Sequence, residues 1–391
     1  MKPILPLLLR RSLLASLLVP IISLSFSASA ADFMVDASQY SDPDNNIYST
    51  LEELVSSVAL VAGDTVILNN DDASLTTGLT VPVNFRSADP AALCAVDLSG
   101  LGKNPLYDLG AGEYTLEMDS VIWSNGTAGV IRTADDNVSL EITGKVQFLN
   151  NHVDNSNNSA YGGAIDMEGG HATLTLGNNA TFSRNYAFSS SNYSSNYSNS
   201  SGGAIYMQGV NSFLTIRNGA IFTNNYSSTY GGAIYLQGIT TDNSSRFLAF
   251  THDVLFSGNM TGGTFTQHND GSFSVVNGVA NAIHVDGTNH LQLAAAQEKE
   301  VRFNDPITSA AYFSSTENVT LSLNQYTDDD GISHATDGTV IFSGELYQGD
   351  NAHLVASRYS DFKGQTTLYG GSLILEHNVV FGNAGLRDDT S

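Results

Sequence analysis

Four copies of one spacing run through the middle of this 391-residue chain and leave little freedom in what it can fold into. Leu140, Ile142, Val146, Phe148 and Asn151 recur as Leu174, Leu176, Ala180, Phe182 and Asn185, then as Leu214, Ile216, Ala220, Phe222 and Asn225. They recur again as Leu248, Phe250, Val254, Phe256 and Asn259, with steps of two, four, two and three residues in every copy. Gly-Gly-Ala-Ile precedes the last three copies, with its paired glycines at Gly162 and Gly163, Gly202 and Gly203, and Gly231 and Gly232. Ile131, Ile165 and Ile205 each lead the next Leu by nine residues, so 128–131 reads as a decayed first copy. Ile234 leads Leu248 by fourteen, which places an insertion near 240–243. Self-similarity at a few tens of residues is the mark of a stacked architecture.

Side chains two apart share one face of a strand. Each copy therefore reads as three short strands, for example Ile205 with Met207, Leu214 with Ile216 and Ala220 with Phe222. The triplets between the second and third strands mostly carry Gly or Asn, which suit sharp corners. The expected fold is all-β, a parallel β-helix solenoid, right-handed, with three short strands per coil. One coil has nothing to cover its apolar face, so only a stack buries a core.

The N-terminus reads as an export signal over residues 1–30. Lys2, Arg10 and Arg11 accompany an apolar run from Ser12 to Phe26, and Ala28-Ser29-Ala30 supplies small residues for cleavage. Losing those three basic residues and no acid takes the formal charge from −24 to −27. Such acidity argues against nucleic acid and anionic membranes as partners. With Cys94 as the only cysteine, no intrachain disulfide can form.

Residues 31–120 read as an N-terminal cap with irregular first coils. Leu51, Leu54, Val55, Val58 and Val61 form a helical stripe, and Thr50 with Glu53 has capping-box spacing, so a short capping helix is expected over 49–62. Strands are expected at 65–68, 79–83 and 114–118. Residues 121–285 are the repeat proper, and 286–391 carry looser coils. In that last region Leu291 with Leu293 and Val301 with Phe303 mark one coil, and Leu373, Leu375, Val379 and Phe381 repeat the two-four-two spacing. No stretch reads as the alternating strands of an outer-membrane barrel.

The repeated Gly-Gly-Ala-Ile and Phe-x-x-Asn motifs resemble the polymorphic membrane proteins of chlamydiae, a family of autotransporter adhesins. Residues 303–307 (Phe-Asn-Asp-Pro-Ile) and 338–345 (Gly-Thr-Val-Ile-Phe-Ser-Gly-Glu) are similar to the family's middle region, and the resemblance covers about 121–383. It implies a signal peptide, a surface-exposed β-helical passenger that attaches to a host cell-surface protein or glycan, and a C-terminal barrel that secretes and anchors it. Since this sequence carries no barrel, one supplied elsewhere or missing is expected. Location at the outer membrane, cell surface or outside the cell follows, and oligomerisation is open.

Most conspicuous residues read as scaffold: the glycines as corners, the Phe set as core, the Asn set as an amide ladder from coil to coil. What varies is the stretch from each Asn to the next Gly-Gly, at 152–161, 186–201, 226–230 and 260–279, and variable loops over a rigid scaffold gather function. Tyr193, Tyr197 and Tyr226 are therefore the candidate ligand contacts in these loops. Asp166, Tyr206, Tyr235 and His284 follow the motif Ile or its equivalent and should form an exposed outward lane. There Tyr206 and Tyr235 either bind a ligand or simply stack. Asp328–Asp330 and Asp135–Asp136 are the densest acids, but no nucleophile motif, metal-ligand spacing or phosphate loop accompanies them. The chain is read as a binding protein, not an enzyme, with no cofactor. The alternatives are a β-helix polysaccharide lyase or hydrolase, and a passive surface-coat solenoid.

Overall fold

A computed structural model describes residues 30–69, 73–155, 159–189, 200–238, 244–268, 272–287, 289–310, 319–343, 359–360, 365–376 and 380–381. The stretch expected to be an export signal lies outside them, apart from Ala30.

The strands stack into three long parallel sheets that wind around one apolar core, so the chain is a parallel β-helix. One sheet of twelve strands carries the Leu positions, one of seven the Ile positions, and one of ten the Phe positions. Register follows the sequence alignment closely. Ile131, Ile165, Ile205, Ile234 and Ile283 pair in a row, as do Phe148, Phe182, Phe222 and Phe256. Leu140, Leu174 and Leu214 form the third row. The Phe rings stack face to face at 4.7 to 4.8 Å from Phe148 through Phe303, the spacing of neighbouring strands. Trp123 pairs with Phe148 in the same row, outside the repeated motif.

The paired glycines are corners for two different reasons. Gly202 has φ +68, the left-handed region, and a Cβ there would overlap the Ile205 carbonyl of its own turn. A Cβ on Gly203 would instead overlap the carbonyl oxygens of Gly232 and Tyr226, so the second glycine lets consecutive coils approach.

The conserved-spacing Asn forms a buried ladder. From Asn185 onward each side-chain oxygen accepts from the backbone N–H and the side-chain amide of the Asn one coil back, at 2.9 to 3.2 Å. Each Nδ2 also donates to a Phe-sheet carbonyl, Asn185 to that of Phe148 and Asn225 to that of Phe182. Asp305 ends the ladder and only accepts, from Asn259 N and Nδ2 and from Gly258 N.

Four expectations need correction. The helix spans Leu51–Ser57, not 49–62: Thr50 caps it by accepting from Glu53 N, but Val58 is already extended. Asp64 draws the next segment away by accepting from Val61 N and Ala31 N. Residues 79–83 form no strand, only a bridge from Leu79 to Tyr107. In the fourth copy Ile216 pairs with Phe247, so Leu248 and Phe250 are not the Leu-sheet core pair. Ser245 and Phe247 fill that place, and Phe250 lies half-buried against Tyr326 because the extra residues divide between two corners. Finally, Leu373 and Leu375 belong to the Phe sheet, paired with Val340 and Phe342, while Gln365–Leu368 takes the Leu-sheet place.

Two hairpins interrupt the winding, Thr264–Gln267 with Phe273–Val276 and Gln325–Thr327 with Ser333–Ala335. A fourth, short sheet builds on the Asn side: His152–Asp154, Tyr186–Phe188, Tyr226–Ser227, Met260–Thr261 and Val279–Ala280. The first residues of the variable loops are thus strand.

Candidate functional site

The Asn side of the coil is where sequence length and chemistry vary, and the structure divides its candidates sharply. Tyr193 and Tyr197 lie outside the described residues. Tyr226 is not a surface contact: it is 1% exposed. The first hairpin folds back over it, setting Phe265 at 4.9 Å and nearly parallel to its ring, and burial pushes its hydroxyl pKa up to about 12.

The outward lane exists in register, Arg132 to Asp166 to Tyr206 to Tyr235 to His284 to Thr308. It is not exposed, however: Tyr206 and Tyr235 are 3% and 6% accessible. The cover comes from Tyr161 and Tyr230, each directly before a Gly-Gly corner, which turns their rings back over the sheet. Tyr161 stacks on Tyr206 at 4.3 Å, Tyr230 on His284 at 4.4 Å, and Tyr206 on Tyr235 at 5.2 Å. Tyr206 donates to the Gln208 side chain and Tyr235 to Asp286. Burial drives both phenol pKa values upward and holds His284 near 4. The lane is a stacked seam rather than an open platform. Sequence reasoning missed Tyr161 and Tyr230, although a Tyr stands before Gly-Gly in two of three copies.

Where the seam meets the N-terminal coils it opens into a cleft of about 530 Å³ lined by Lys103, Arg132, His152, Tyr161, Asp166 and Glu168. The Ile sheet supplies Arg132 and Asp166, the fourth sheet His152, and the loop end Tyr161. Asp166 occupies the place that Tyr206 and Tyr235 take in the next coils, and it is 8% exposed. Its Oδ1 is sealed without a hydrogen-bond partner, while Oδ2 lies 4.0 Å from Arg132 Nε, longer than a hydrogen bond. Burial raises its pKa well above the usual carboxylate range, Glu168 adds to that, and Arg132 opposes it. His152 stacks on Tyr186 at 4.5 Å, and burial lowers its pKa. A buried carboxyl this poorly satisfied is costly, and such groups gather at functional sites.

The cleft offers an aromatic edge, a half-exposed guanidinium, a carboxylate and an acid inclined to hold its proton. That set suits reversible recognition of a polar ligand. The acidic runs lie elsewhere and serve turns. Asp328 accepts from His334 Nε2, Ile332 N and Asp330 N, bracing the second hairpin, and Asp136 accepts from Gly170 N. Among the described residues no three His, Cys, Asp or Glu side chains converge as a metal site. No family model, curated protein or solved structure matches the chain.

Proposed function

We propose that the protein is an adhesin-like passenger, exported to the cell surface or beyond it, that binds a cell-surface ligand through the Asn side of its solenoid. The observation that carries this reading is Asp166, a costly buried carboxyl next to the stacked rings of the seam, in a cleft also lined by described residues of the first variable stretch. The resemblance of the repeats to chlamydial polymorphic membrane proteins supports attachment to host cells as the role, and acidic composition supports a soluble, extended partner-binding surface.

Beads coated with residues 31–391 should attach to epithelial cells. Arg132→Glu combined with Asp166→Asn should reduce attachment about tenfold, equivalent to about 1.4 kcal/mol of binding, while circular dichroism stays unchanged. Attachment that survives this change but is lost with Tyr193→Ser and Tyr197→Ser would move the binding face onto residues 190–199. Absence of attachment to any cell type would leave the passive surface-coat reading in its place.

A further inference from the structure

A second cleft, of about 730 Å³, lies on the outer face of the Leu sheet, away from the loop side. Its floor is built from two in-register rows. One runs Thr173, Phe213, Ser244, His290, and the other Thr175, Thr215, Arg246, Gln292. Strand spacing is about 4.8 Å, so outward side chains recur along the solenoid axis at nearly the rise per residue of an extended sugar chain. The Phe213 ring, half-buried in the same floor, supplies a flat apolar surface.

One wall is the hairpin Gln325–Thr327 with Ser333–Ala335, and the floor itself holds it in place. Gln292 Oε1 accepts from Thr327 N at 2.8 Å, its Nε2 donates to Thr327 Oγ1 at 3.1 Å, and Arg246 Nη1 donates to Thr327 O at 2.8 Å and to Asp329 Oδ1 at 3.0 Å. The hairpin carries Tyr326 to the rim, propped between Phe250 and His334 at 5.0 Å from each. At the opposite end Arg217 Nη1 reaches Glu141 Oε1 at 3.2 Å.

The chemistry of the cleft narrows its occupant. Both guanidiniums face a carboxylate, so the groove favours neither polyanions nor polycations. Backbone groups of the floor are already committed to the parallel ladder, so a peptide cannot add as a strand, which needs an open sheet edge. Arg217, Arg246, His290, Gln292 and the threonine hydroxyls interrupt the apolar surface of Phe213, Leu248 and Tyr326, so the lining offers no continuous stripe to an apolar helix. A ligand dense in hydroxyls, with one apolar face per unit for the aromatic rings, satisfies every feature together. We propose that this groove binds a neutral glycan chain laid along the solenoid axis. The site is independent of the loop-side cleft, and neither reading depends on the other.

The test is titration calorimetry of residues 31–391 with neutral β-linked and α-linked oligosaccharides of glucose, mannose, xylose and N-acetylglucosamine, two to six units long. At least one series should bind with affinity that rises with length and levels off near four units, one for each coil crossed by the floor. Phe213→Ala should weaken that binding about tenfold, and Thr173→Trp, which fills the floor, should abolish it, with circular dichroism and bead attachment to cells both unchanged. Binding of none of these series, binding only of charged oligomers, or binding indifferent to both substitutions would overturn the proposal. Loss of cell attachment in Arg132→Glu with glycan binding intact would keep the two sites apart.

Discussion

Asn225→Ala asks how much of the solenoid depends on its amide ladder. The substitution deletes four buried hydrogen bonds: Nδ2 to Phe182 O at 3.0 Å and to Asn259 Oδ1 at 2.9 Å, and those that Oδ1 accepts from Asn185 N at 3.0 Å and Asn185 Nδ2 at 3.1 Å. The losses are unequal. Asn259 Oδ1 keeps the Asn225 N–H, and Asn185 Nδ2 keeps the Phe148 carbonyl. The Asn185 backbone N–H has Asn225 Oδ1 as its acceptor and becomes a buried orphan donor. An orphaned donor costs about 1–3 kcal/mol and each of the other three net bonds about 1, so the expected destabilisation is about 4–6 kcal/mol. Asn178→Ala is the control, because Asn178 also bonds an Asn of the next coil, Asn218, but at an exposed corner. It should cost about 0.5 kcal/mol or less. Urea unfolding followed by far-ultraviolet circular dichroism measures both. Trp123, the single tryptophan, is buried three coils away in the Phe row and gives a local fluorescence signal. If the ladder couples neighbouring coils, the two probes should separate in Asn225→Ala and coincide in the parent. A cost near 1 kcal/mol, or one equal to that of the control, would refute the argument.

Phe222→Ala removes a fully buried ring stacked on Phe182 and Phe256, so a loss of about 3–5 kcal/mol is expected; a cost under about 1 kcal/mol in urea unfolding would overturn the register. Gly203→Ala should destabilise more than Gly110→Ala, since a Cβ on Gly203 meets the backbone of the next coil while one on Gly110 meets only the Asp135 carboxylate at 3.3 Å; equal melting temperatures would contradict the close-approach account. Asp305 is pushed up to about 6 by burial, against the three donors that pull it down. Its stabilising contribution is therefore complete below the unfolded value near 3.8 and is lost as pH rises to about 6, a change of about 3 kcal/mol. His284, held near 4, acts in the opposite direction over an overlapping range, so the readout is Asp305→Asn relative to the parent: the variant should gain about 3 kcal/mol between pH 4 and 7, and a pH-independent difference would refute this. N-terminal sequencing of exported protein should begin within a residue or two of Ala31; recovery of Met1 from the envelope would count against a cleaved signal.

The inner face of the coil was legible because each buried position repeats with fixed spacing, and stacking places like on like. Ile205, Leu214, Phe222 and Asn225 all fall in the rows their spacing assigned. Spacing failed where an insertion could be absorbed at more than one corner. Aligning Leu248 with Leu214 kept the intervals constant, yet the coil divides the extra residues so that Phe247 enters the core. The same holds for Leu373, whose local pattern fits two sheets and whose partners decide for the Phe sheet. The outer face was less legible for a different reason. Period two told correctly that Tyr206 and Tyr235 point outward, but not that Tyr161, Tyr230 and the hairpin bearing Phe265 return to cover the outside. Those contacts join residues 5, 39 and 45 apart, separations that follow no period, so no repeat in the sequence announces them.

That difference bears on where function can reside in such a molecule. The inner rows and the Asn ladder couple every coil to its neighbours, so any substitution there is felt along the stack, and ligand chemistry placed inside would perturb the fold. Outward positions of the Ile and Leu sheets carry no such constraint once their backbones are paired. They can hold a continuous stack, as Tyr206 and Tyr235 do, or depart from it, as Asp166 does at the same register position. A departure that leaves a buried carboxyl oxygen without a partner weakens the seam locally. Asp166→Leu, which deletes the unpartnered oxygen without forcing a ring into the Tyr161–Tyr206 contact, should then raise stability, while reducing cell attachment. A variant that is more stable and still attaches fully would show that the carboxyl has no part in binding.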